Sequence, residues 1–91
     1  MEIVVEVAVI EPYVLDIKFA DGKRRRVDLE AELFGEVFEP LRDPARFAEA
    51  TVDPILGTVV WPNGADFSPE FLYSDARERA SEHGTPGSRM G

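Results

Sequence analysis

The residues best suited to chemistry lie between Asp53 and Tyr73. Asp66 and Glu70 are four apart, and Asn63 and Asp53 add further oxygen donors. Such a set suits a hard cation, which prefers carboxylate and carbonyl ligands. Calcium-loop spacing is missing, however, and the same residues serve as turn and helix-capping groups. No metal site is therefore assigned, and no cofactor is called for. The 91-residue chain has no cysteine and one histidine, His83. This removes thiolate zinc sites, iron–sulfur clusters, disulfides and cysteine nucleophiles. Ser68, Ser74, Ser81 and Ser88 lack a nucleophile-elbow context, and His83 has no evident orienting partner. Glycines 22, 35, 57 and 64 stand alone, so no phosphate-cradling loop is formed. The expectation is a non-enzymatic protein.

Recognition chemistry is better represented. Trp61 and Tyr73 could anchor an interface or close a small core, and with Asn63, Asp66 and Glu70 they form the candidate ligand or interaction set. Lys23, Arg24, Arg25 and Arg26 are four consecutive bases. From Asp28 to Glu39 there are five acids (Asp28, Glu30, Glu32, Glu36 and Glu39) and no base. Arg24, Arg25, Arg26, Glu30, Glu32 and Glu36 are thus the charged candidates to face a partner. The acidic stretch calls for a small basic protein, whereas the basic run gives an alternative reading as a nucleic-acid contact. A third reading is an accessory or sensor domain that binds a small ligand or cation near Trp61–Asp66.

Elements must hold these groups in place. Residues 3–10 are β-branched on both alternating faces, which predicts a strand interior to its sheet. A turn at Glu11-Pro12 leads to Val14–Phe19, with Leu15, Ile17 and Phe19 inward. A three-residue Ala20-Asp21-Gly22 loop pairs Leu15 with Val27 and Ile17 with Arg25, keeping the apolar set on one face. Arg25 then points to the core side, its stem packed and its head in water near the sheet edge. Leu29, Leu33, Val37 and Leu41 are four apart with Phe34 and Phe38 alongside, but Gly35 and Pro40 limit this stretch to short helical turns. Asp43-Pro44 starts a short helix, and residues 50–53 and 58–61 form a hairpin. Ser68-Pro69 starts a C-terminal helix that runs until Gly84 can end it.

Ten basic and eighteen acidic side chains give a net charge of −8. That balance opposes binding to nucleic acid and anionic membranes. The chain shows no membrane span and no signal segment, so a cytoplasmic location is expected. A hydrophobic fraction of 44% is that of a folded protein. The fold expected is a single α+β domain over residues 1–83, followed by a flexible tail, 84–91. It has a mainly antiparallel sheet of about five strands, with one short and one C-terminal helix packed on it. An unpaired edge strand would permit a homodimer.

The run Gly57-Thr58-Val59-Val60-Trp61-Pro62-Asn63-Gly64-Ala65-Asp66, followed by Pro69-Glu70-Phe71-Leu72-Tyr73, resembles the C-terminal signature of the domain of unknown function DUF2442. Phe19 to Gly22, Val27-Asp28-Leu29 and Val37 to Asp43 leading to Phe47 agree in order, so the resemblance spans about residues 3–75. It implies a small bacterial α+β domain. Some relatives carry an added helix-turn-helix module, which this chain is expected to lack. Others are the small antitoxin-like partner of a short toxin-like protein. No catalytic residues are established for the family, and none are carried over.

Overall fold

A computed structural model describes residues 2–79. Strands β1 (Val4–Glu11), β2 (Val14–Phe19) and β3 (Arg24–Asp28) form an antiparallel sheet in that order. The register between β2 and β3 is the one expected: Leu15 opposes Val27 and Ile17 opposes Arg25. Gly22, at φ +94°, takes the left-handed position that the three-residue loop needs. A slip by one residue would turn Val27 away from Leu15, so the turn and the apolar pattern enforce the same answer.

Strand β1 corrects the expectation of an interior strand. Among the described residues it is an edge, paired with β2 alone. A one-residue bulge at Val5 separates the Val4–Phe19 pair from the Glu6–Lys18 pair. Bulges reset the alternation of side chains. Here the reset turns Val4, Val7 and Val9 toward the core and leaves Val5, Ala8 and Ile10 exposed. The second apolar face of β1 is therefore a surface rather than a buried layer.

Strands β4 (Thr51–Asp53) and β5 (Thr58–Val60) make a separate hairpin, giving five strands in two antiparallel sheets among the described residues. The Asp53 carboxylate accepts from the amides of Ile55 and Leu56, and so fixes the turn that joins the two strands. The amide of Val4 donates to the carbonyl of Gly57 at 2.9 Å, tying the hairpin to β1. Between the sheets run two 3₁₀ turns, Glu30–Glu32 and Glu39–Arg42, and one α-helical turn, α1 (Pro44–Phe47). Asp43 caps α1 by accepting from the Ala45 amide at 3.0 Å, as the acid–proline start predicts.

The expected long C-terminal helix is not formed. It starts as predicted, with the Ser68 hydroxyl accepting from the Phe71 amide. Only one wide turn follows, Phe71–Asp75, closed by the Ala76 amide donating to the Phe71 carbonyl. The chain then extends alongside β3. Asp28 donates to the Arg77 carbonyl and Arg79 to the Arg26 carbonyl, both at 2.8 Å. A fourth strand-like segment thus satisfies backbone groups that β3 would otherwise present unpaired. Ala80, His83 and the tail expected at 84–91 lie outside the described residues.

Leu15, Ile17, Phe19, Val27, Leu29, Leu33, Phe47, Val59, Trp61 and Leu72 form one continuous buried cluster between these layers. Leu29 and Leu33 anchor the acidic stretch to this cluster, and Phe47 does the same for α1.

Candidate functional site

The Trp61–Asp66 motif is built into the scaffold. Trp61 is only 2% exposed, and its indole Nε1 donates to the Phe47 carbonyl at 2.8 Å. Its ring lies 5.6 Å from that of Phe47 and 5.9 Å from that of Phe67, an aromatic cluster joining β5, α1 and the loop after β5. Asn63 donates through Nδ2 to the Val37 carbonyl at 2.9 Å and accepts from the Ala65 amide at 3.1 Å. Tryptophan and asparagine therefore fasten two distant segments, 37 and 47, to the turn after β5. Asp66 pairs by backbone with Val60, and Glu70 opens the last helical turn, both with exposed side chains. Among the described residues no group of three or more acids and histidines converges to hold a metal. Burial removes Trp61 as a platform for an incoming ligand.

Tyr73 does something different. Its hydroxyl donates to Asp21 Oδ2 at 2.6 Å, and Lys23 Nζ lies 4.1 Å from the centre of its ring. Asp21 also accepts from the Lys23 amide. These contacts latch the tip of the β2–β3 hairpin to the last helical turn. The hydrogen bond from Tyr73 holds the Asp21 carboxyl below its ordinary value of 3.8, and the same bond raises the Tyr73 phenol above 10.0. A depressed carboxyl contributes stability above its unfolded value, lost as pH falls through the folded one. A carboxyl titration followed by NMR is therefore expected to place Asp21 below 3.8, and Tyr73→Phe to move it upward. An unchanged midpoint in Tyr73→Phe would show that the latch is not what holds the carboxyl down.

The basic run is divided by the sheet. Arg24 faces outward and lies 3.7 Å from Glu6, while Arg26 is exposed on the same face. Arg25 is 8% exposed, which corrects the expectation that its head reaches water. Its guanidinium donates to the carbonyls of Leu72 at 2.7 Å and Ala76 at 2.9 Å, and Glu78 lies 3.4 Å away. A buried arginine needs such partners, and the terminal carbonyls of the last helical turn need donors in return. Only part of the run is left to meet a partner.

The acidic stretch provides one exposed surface, alongside the outer face of β1 and the Ile55-Leu56 turn. Glu30 and Glu36 are exposed and Glu32 is half-buried. Among them Phe34 is 69% exposed and Val37 49%. Helical spacing places both beside the core, but the 3₁₀ turn stops at Glu32, and the chain turns again at Gly35, φ +87°, leaving both side chains outward. The readable signal is a glycine directly after a phenylalanine, within a segment that is otherwise acidic.

The fold and this surface define a small α+β domain in which Trp61 and Asn63 fasten distant segments together and the exposed ring of Phe34 stands in an acid-rich loop. The chain belongs to the family described as "Protein of unknown function (DUF2442)", which matches residues 4–78. No curated protein and no solved structure matches it. Among the described residues no helix is long and apolar enough to cross a membrane.

Proposed function

We propose that this protein is a non-enzymatic interaction module that binds a small basic protein through the segment Asp28–Glu39. The observation that carries this reading is Phe34, a large ring left in solvent among Glu30, Glu32 and Glu36. Exposed aromatics carry much of the energy when a surface is covered, and surrounding charge steers a partner of opposite sign. Leu29 and Leu33, both fully buried, hold the segment in place, so little ordering is left for the moment of binding. The family resemblance supports a bacterial protein acting as the antitoxin-like member of a pair, and the sequence reading places it in the cytoplasm. The alternatives receive less support, since Trp61 is internal and Arg25 is committed to backbone carbonyls.

Affinity capture with the wild type, Phe34→Ser and the double variant Glu30→Gln/Glu36→Gln tests the reading. The wild type is expected to retain one small basic protein. Phe34→Ser should cut recovery by about tenfold or more, in line with a truncated hot spot. The double variant should bind more slowly, and raised salt should weaken capture by the wild type. Recovery insensitive to all three changes would overturn the proposal.

A further inference from the structure

A cleft of about 390 Å³ lies at the foot of the acidic segment, where the 3₁₀ turn at Glu30–Glu32 meets the extended chain after Ala76. Its size falls within the roughly 300–1,000 Å³ range of small-ligand sites. Arg42 and Arg77 line it, and so do Asp28 and Glu30. Among the described residues neither arginine has a carboxylate within ion-pair distance, so groups of both signs line one cleft unpaired. Arg42 is held in place twice: its Nη1 donates to the Leu33 carbonyl at 3.3 Å, and its own carbonyl accepts from the Tyr13 hydroxyl. The backbone at Arg77 is fixed by its carbonyl, which accepts from the Asp28 amide, and its exposed guanidinium extends from that anchor. The apolar part of the lining comes from Leu33 and the exposed ring of Phe34.

We infer that this cleft binds a free α-amino acid with a large apolar side chain. Arg42 and Arg77 receive its carboxylate, since guanidinium groups match that geometry. Glu30 and the part of the Asp28 carboxylate not engaged by the Glu30 amide receive its ammonium. Phe34 covers the side chain. The cleft shares Glu30 and Phe34 with the surface proposed for the protein partner, but a small-molecule titration of the isolated chain reads it separately from partner capture.

Backbone amide NMR of the full chain, titrated with L-phenylalanine as probe, tests it. Saturable shifts are expected at Leu33, Phe34 and Arg77. N-acetyl-L-phenylalanine lacks the ammonium and L-phenylalaninamide lacks the carboxylate, so each should bind about tenfold or more weakly, the loss of one charge-assisted contact. Arg77→Gln, an exposed change, should weaken L-phenylalanine similarly while leaving the remaining spectrum in place. Absence of saturable shifts at these amides would overturn the inference. So would equal binding of the blocked analogues, or binding unaffected by Arg77→Gln.

Discussion

Replacing Arg25 with alanine is expected to destabilise the protein by about 2–4 kcal/mol, the range for losing charge-assisted hydrogen bonds to buried acceptors. The carbonyls of Leu72 and Ala76 would lose their guanidinium donors. For a domain of this size the melting temperature should fall by about 10 °C or more. The damage should also be local. Hydrogen exchange should accelerate first at the Asp28 and Arg79 amides, which bond to Arg77 and Arg26 across the β3 edge. Arg25→Lys should recover only part of the loss, because one compact ammonium cannot reproduce the fork that spans two carbonyls. A variant as stable as the wild type, with unchanged exchange at Asp28, would show that the guanidinium does not hold the C-terminal segment.

Trp61→Ala is expected to cost about 3–5 kcal/mol, as large aromatic truncations in cores do. The ring touches Phe47 and Phe67, so its removal opens a cavity where β5, α1 and the following loop meet. Trp61→Phe separates packing from hydrogen bonding. It retains a ring but removes the indole donor to the Phe47 carbonyl, which still accepts from the Ala50 amide at 3.3 Å. Its cost should therefore be near 1 kcal/mol, the net value of a typical internal hydrogen bond. Urea denaturation followed by circular dichroism gives both values. Equal losses for the two variants would mean that the hydrogen bond, rather than the buried ring, carries the effect.

These two residues also show what could be read from the sequence. The β2–β3 register was legible because parity leaves one arrangement that keeps Leu15, Ile17 and Val27 together. The caps at Asp43 and Ser68 were legible because each combines an oxygen acceptor with a following proline. The end of the last helical turn was not legible. It depends on Arg25, 47 residues away from Leu72, and no local pattern announces that contact. The edge position of β1 was hidden for a related reason, since its bulge at Val5 exists only through pairing with β2.

The candidate site divides in the same manner. Trp61 and Asn63 stood out by residue type, yet both are engaged within the fold. Charge points to Glu30 and Glu36, which are exposed, whereas the four-residue spacing puts Phe34 on a helical face that ends at Glu32 before reaching it. Distinctive residues in a motif can mark what holds a small domain together, whereas the residue free to bind is the one local geometry excludes from the core.

Photo-crosslinking separates the residue that binds from the residues that hold the fold together. A photoreactive residue is placed at position 34 in one copy of the full chain and at position 66 in another, and each is illuminated in cells. One discrete crosslinked protein is expected from position 34 and none from position 66. Crosslinking from position 66 alone, or from neither position, would contradict that expectation.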